Sequence, residues 1–277
     1  MTFSAHQSSP DFENHLFVTR HPYMCGRYEL SSHPAAIALA FGLVHPPDIR
    51  PRYNIAPTQQ VPIVRLSAAG EREVAQVRWG LVPRWARDPA IGVRMINARG
   101  ETLAIKSAFR NAYVRHRCLL PVNGFYEWQA TRHGKQPLHI GMHDGRPFGL
   151  AGLYERWLSP DGEVLDTCTI VTTTASDALR DIHNRMPVIV PERDYARWLD
   201  ASNPDVGDVI APWSGESLRV YPVSTRVNAV RNDDARICDP IDITTTPLFA
   251  ELAEPELAVG GDDAPDEEET PVQASLF

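Results

Sequence analysis

Between Met24 and about Pro247 the chain is written in short apolar runs, each closed by turn residues. The runs are Val61–Leu66, Glu73–Trp79, Cys118–Val122, Leu138–Met142, Phe148–Tyr154, Cys168–Thr173 and Val188–Val190. Runs of this length and spacing predict strands. Helical patterns are fewer: Pro34–Gly42, Glu101–His116, Ser176–His183 and Glu192–Asp200. Ser176 is read as the N-cap of the third, and Pro191 as the opening of the fourth. Many strands with few interspersed helices predict an α+β domain on mainly antiparallel sheet, not a parallel βαβ fold. Residues 1–23 lack sustained periodicity and read as a disordered leader, 24–249 as the folded domain, and 250–277 as an acidic disordered tail.

The formal charge of −8 argues against a nucleic-acid partner only until it is mapped. Residues 251–277 carry nine acids and no Lys or Arg, and the leader is at −1, which leaves +2 for residues 24–250. Lys106 and Lys135 are the only lysines, so 25 of the 27 basic residues are arginines. Genome composition explains such a bias as readily as function does, yet the guanidinium fork suits phosphate.

The four cysteines, 25, 118, 168 and 238, include no CxxC pair and fit neither a disulfide framework nor a zinc site. His139 and His143 stand four apart on a predicted strand, roughly 13 Å, too far to share one ion. The reading is therefore of a protein without metal or cofactor. No stretch is long and apolar enough to span a membrane, and no signal-peptide core is present, so a cytoplasmic monomer is expected.

Four segments carry chemistry. In Met24-Cys25-Gly26-Arg27, translation from Met24 and removal of that Met would leave Cys25 as a terminal 1,2-aminothiol. Its amine, with a reference pKa of about 8, is substantially neutral near physiological pH. It can attack an aldehyde to give a Schiff base, which the thiol closes to a thiazolidine. The competing reading is a small buried cysteine inside a segment. Ile96–Thr102 reads as a loop entering a helix, presenting Asn97 and Arg99 on one side to a sugar-phosphate, or as a plain helix start. Glu127 in Asn123–Trp128 sits among aromatics whose burial would raise its pKa toward acid–base work, unless it is an exposed acid on an aromatic strand. His183, in Asp181–Pro187, is placed at a helix end, where the helix dipole favours imidazolium; a simple capping histidine is the other reading.

The ordered set Cys-Gly-Arg, Tyr-Asn-(Ile)-Ala-Pro at 53–57, Trp-Gly-(Leu)-Val-Pro at 79–83, Ile-Asn-Ala-Arg-(Gly)-Glu-Thr, Gly-Phe-Tyr-Glu-Trp and Ile-His-(Asn)-Arg-Met-Pro resembles the SOS response-associated peptidase (SRAP) family, the abasic-site processing proteins. The resemblance covers residues 24 to about 235. It implies a single domain with a barrel-like core that binds single-stranded DNA and crosslinks itself to abasic sites. By that resemblance Cys25 forms the thiazolidine, Asn97 orients cysteine and sugar, Glu127 transfers protons, and His183 serves Schiff-base chemistry and reversal. Gly26, Arg27, Asn54, Pro57, Arg99 and Arg185 match DNA-binding positions, the arginines holding phosphates. Trp85 and Phe109 match aromatics that stack on or wedge beside bases. Where the family often has two adjacent tryptophans, this chain has Trp85-Ala86.

The leader is the largest departure, because Cys25 inside a peptide has no free amine. Either translation starts at Met24 or the leader is cut off, by autoproteolysis among other routes; the former is favoured. The terminal Gln273-Ala274-Ser275-Leu276-Phe277 resembles peptides that dock on bacterial sliding clamps through Gln273, Leu276 and Phe277, or is a chance pentapeptide. Two other functions stand beside the covalent one. They are a non-covalent single-strand binding module, and an amidohydrolase with an N-terminal cysteine.

Overall fold

In the computed structural model the described residues are 25–132, 134–214 and 218–242. The leader, the acidic tail and the clamp-like pentapeptide lie outside them. The compact unit that carries the expected site extends to Ile241.

The seven apolar runs become strands, and six further strands join them among the described residues. In chain order they are β1 (Tyr28–Leu30), β2 (Arg52–Ile55), β3 (Gln60–Leu66), β4 (Arg72–Trp79), β5 (Asn97–Arg99), β6 (Arg117–Val122) and β7 (Gly124–Thr131). They continue as β8 (Gly134–Met142), β9 (Phe148–Leu158), β10 (Val164–Thr174), β11 (Arg185–Pro187), β12 (Ile189–Val190) and β13 (Leu218–Pro222). The α-helices are α1 (Pro34–Phe41), α2 (Arg110–Arg115) and α3 (Tyr195–Leu199). This is the expected α+β fold.

Strands β10, β4, β3, β6 and β9 pair in a ring, because β9 returns to β10 along Val164↔Leu158 through Ile170↔Gly152. The sheet thereby closes into a barrel and removes edges that would otherwise stay unpaired. All its pairings are antiparallel except β10 with β4, and β5 adds to β10 in parallel as well. Val61, Ile63, Leu119, Leu150, Leu153 and Ile170 are fully buried and fill the main core.

A second sheet runs in the order β13-β8-β7-β1-β2. Tyr28 pairs with Phe125 and Phe125 with Ile140, all inside the main core. The alternate residues, Tyr126 among them, face a smaller cluster of Val223, Val227 and Ile237. The period of two therefore gives this sheet two distinct buried faces.

Two helix expectations need correction. Glu101–His116 holds one 3₁₀ turn at Gly100–Thr102, then turns, then α2. Leu103 and Phe109 are both buried, and on one continuous helix they would stand about 120° apart. Breaking the helix buries both. Ser176–His183 is a succession of turns with isolated bonds from Arg180 N to Ser176 O and His183 N to Leu179 O. Only Leu179 in that segment is fully buried, too little apolar face to hold a helix. None of the helices among the described residues is long and apolar enough to cross a membrane.

Candidate functional site

Cys25 enters β1 with φ +38°, an uncommon conformation for a residue with a side chain, and is wholly buried. Its backbone nitrogen donates to Glu127 Oε1 at 2.8 Å. Glu127 lies on β7, 6% exposed, and burial pushes its carboxyl up to about 7. A carboxyl with that value exchanges protons near neutrality, which general acid–base work requires. The Cys25 thiol is pushed well up, by burial first and by Glu127 second, so it is held protonated.

The segment expected as a loop entering a helix is instead strand β5. Asn97 pairs with Ile170 and Arg99 with Thr172 on β10. Alternation sends Ala98 into the core and leaves Asn97 half-buried and Arg99 exposed on the opposite side. Thr174 of β10 in turn pairs with Arg185 on β11. Arg185 Nη2 donates to Thr172 O at 2.8 Å, and its fork grips Glu101 through bonds of 2.8 and 2.9 Å. The Arg185 hydrogen bond is the first cause holding Glu101 below the usual carboxylate range. Sequence reasoning passed over Glu101; the signal was an acid two residues after Arg99 in a segment expected to meet phosphate.

His183 is not at a helix end, so the expected dipole that would favour imidazolium is missing. Burial lowers its pKa instead. The Arg185 backbone N–H donates to His183 Nδ1 at 3.1 Å, so the neutral ring carries its proton on Nε2. Lys135 lowers both Glu127 and His183 through its charge, behind burial in each case.

Arg27 is half-buried. Its Nη1 donates to Asn54 Oδ1 at 2.7 Å and to Val227 O at 2.6 Å, and its guanidinium lies 5.9 Å over the Trp128 ring. Asn54 is fully buried and donates to Val227 O, Ala229 O and Asn232 O. Gly26 faces open space, and Pro57 is half-buried just after β2. Of the two expected stacking aromatics, Trp85 is 56% exposed whereas Phe109 is 4% exposed, packed inward by the broken 101–116 segment. Trp85 stands on a loop whose base is tight. A Cβ on Gly80 would meet Gly92 O at 2.6 Å, and one on Gly92 would meet Gly80 O at 2.5 Å.

A recess of about 450 Å³ is lined by Arg84, His116, Glu155, Arg156, Leu158 and Val164, and by none of the candidate site residues. His139 and His143 do not converge: His139 is buried on β8 and His143 is exposed beyond it.

The sequence profile described as SOS response associated peptidase (SRAP) matches residues 24–230. Abasic site processing protein YoqW of Bacillus subtilis is 36% identical over 223 residues, 78% of this chain and 99% of the relative. Abasic site processing protein HMCES of Gallus gallus is 32% identical over 228 residues, 70% of this chain and 67% of that protein. The crystal structure of a Bacteroides thetaiotaomicron protein superposes with a TM-score of 0.68 at 25% identity, covering 79% of this chain and all of that one. One from Bordetella bronchiseptica gives 0.65 at 29% identity, with 72% and 100% covered.

Proposed function

The chain belongs to the SOS response-associated peptidase family, and on that footing we propose that it captures abasic sites in single-stranded DNA as a thiazolidine built on Cys25. The observation that carries the reading is the 2.8 Å contact between the Cys25 nitrogen and a Glu127 carboxyl pushed up to about 7. Once residue 25 is the N-terminus, that nitrogen is the attacking amine. It already has an acid–base partner.

The ring-opened sugar offers an aldehyde carbon. The neutral Cys25 amine adds to it, and the protonated Glu127 gives its proton to the carbonyl oxygen. Loss of that oxygen as water leaves a Schiff base. The Cys25 sulfur then bonds to the same carbon, the C=N π pair returns to nitrogen, and the thiol proton passes to the Glu127 carboxylate. Aldehyde plus aminothiol gives thiazolidine plus water, a balance that needs no cofactor. His183, with its proton on Nε2, serves this chemistry as a hydrogen-bond donor, and Asn97 orients the sugar. Arg27, Arg99 and Arg185 take phosphates, with Gly26, Asn54 and Pro57 shaping the shelf. Trp85 stacks on a base.

Exposure of the amine comes from translation at Met24 or from hydrolysis of the Met24–Cys25 bond. The Gln273, Leu276 and Phe277 tail tethers the domain to a sliding clamp.

The test is a single-stranded oligonucleotide carrying one abasic site. A covalent band on a denaturing gel that vanishes in Cys25→Ala, from protein whose N-terminal mass begins at Cys25, is the expected result. Retarded mobility on a native gel with no covalent band would make the chain a non-covalent binder. Glutaminase turnover without DNA binding would make it an amidohydrolase.

A further inference from the structure

Glu29, His139 and Cys238 form a group that the reaction above does not use. Glu29 follows Tyr28 on β1, so alternation turns it away from the Cys25 side of the sheet. His139 pairs with Tyr126 across β7 and β8 and points to the same outer face. Cys238 reaches that face from the 3₁₀ turn Ala235–Cys238. Residues 110 and 209 positions apart from Glu29 are thus brought to one point by the fold.

One carboxylate oxygen, one imidazole nitrogen and the thiol sulfur lie within 4.8 Å of one another. His139 Nε2 and Glu29 Oε2 are 2.7 Å apart, while Ser31 Oγ donates to the other carboxylate oxygen. Tyr126 Oη, which donates to Tyr53 O at 2.8 Å, stands 3.1 Å from the Cys238 sulfur. The imidazole is gripped between Tyr221, stacked at 5.0 Å, and the edge of Tyr126 at 5.3 Å. Gly124 makes room for it, since a Cβ there would meet His139 Cε1 at 2.3 Å. Ser31 thus fixes the carboxylate and Tyr126 the thiol by polar contacts, as metal ligands are fixed, while ring packing alone orients the imidazole, whose Nδ1 meets no hydrogen-bond partner. A recess of about 170 Å³ opens onto all three, enough for an ion and a water.

We propose that Glu29, His139 and Cys238 bind one divalent cation of the zinc class, with a solvent molecule as fourth ligand. Carboxylate, imidazole and thiolate on one ion select zinc over magnesium or calcium, which take oxygen alone. Binding replaces the hydrogen bond between His139 Nε2 and Glu29 Oε2 with bonds from each to the ion, and the Cys238 thiol proton leaves to solvent as the sulfur bonds. The ion would fasten the 225–241 segment to β1 and β8. That segment supplies Val227 O to Arg27 and Asn54, and Asp233 to Arg52, so it supports Arg27, one of the arginines assigned above to a phosphate.

The test is titration of the full chain with cobalt(II), then zinc. One equivalent of cobalt should give a thiolate charge-transfer band that zinc abolishes. The band should persist in Cys25→Ser and be lost in Cys238→Ser. Zinc at a hundredfold excess over its Kd should raise the thermal midpoint of the wild type by about 5 °C, and that of Glu29→Gln far less. No band, or a band that follows Cys25 rather than Cys238, would overturn the proposal. The first outcome would leave the aldehyde chemistry at Cys25 untouched.

Discussion

Arg185 holds Glu101 in a two-bond ion pair, and the carboxylate occupies both of the terminal nitrogens that a DNA phosphate would use. Arg185 is only 14% exposed while Glu101 is 47% exposed, so the acid is the partner that can move aside. A phosphate arriving at Arg185 competes with an internal anion. Replacing Glu101 by Gln should therefore tighten single-strand binding several-fold and steepen the salt dependence by about one unit of log–log slope. Fluorescence anisotropy across a salt series reads both. Weaker binding in the variant would mean that Glu101 chiefly orients Arg185.

Glu127 makes stability depend on pH in a defined direction. Its folded value of about 7 lies above its ordinary value of 4.5, so the folded protein holds this proton where the unfolded chain has released it. Below about pH 4.5 the group is neutral in both states and costs nothing extra. As pH rises toward 7 the cost grows to about 3 kcal/mol and then stays level. Glu127→Gln keeps an oxygen for the Cys25 nitrogen and removes the charge. It should be more stable than wild type in urea at pH 8 and indistinguishable from it at pH 4. The same change should slow crosslinking by about 10²–10⁴ and remove the rate inflection near pH 7.

Much of this was legible in the sequence, and the failures have physical causes. Strands with a clear apolar run, such as Phe148–Tyr154 and Cys168–Thr173, declare themselves, and the structure extends the first to Leu158 and starts the second at Val164. Asn97–Arg99 does not declare itself, because a three-residue strand has too few positions to show a period, and only its parallel partner β10 makes it one. The helix over Glu101–His116 was overcalled since Leu103 and Phe109 satisfy helical composition but demand different directions. Residue chemistry singles out Cys25, Asn97, Glu127 and His183 as candidates, and the family resemblance adds Arg185. The tautomer of His183, the Glu101 clasp and the Glu29–His139–Cys238 group depend on contacts far apart in the chain. No local pattern encodes them.

Asn54 is a stability hub and a support for Arg27 in one side chain. Fully buried, it accepts from Arg27 and spreads its amide over three carbonyls of the 227–232 segment. Asn54→Ala strands those carbonyls and leaves Arg27 with Val227 O and the Trp128 face. A loss of about 2–4 kcal/mol in chemical denaturation is expected, from several buried polar groups left unpaired. DNA affinity should fall as well, with Arg27 no longer fixed.

Trp85 separates binding from stability. It is the largest exposed aromatic on the 83–95 loop, and its indole Nε1 approaches Ser107 O at 3.5 Å, a weak contact at best. Truncation to Ala removes little packing, so the urea midpoint should stay within about 0.5 kcal/mol of wild type. A base that stacks on the ring contributes about 1–3 kcal/mol, so single-strand Kd should rise five- to a hundredfold. Phe109, being buried, should behave in the opposite way. Phe109→Ala opens a cavity in the main core and should cost about 3–5 kcal/mol of stability. If Trp85→Ala instead lowered stability and left Kd unchanged, the indole would be part of the loop's own packing and the strand would run elsewhere.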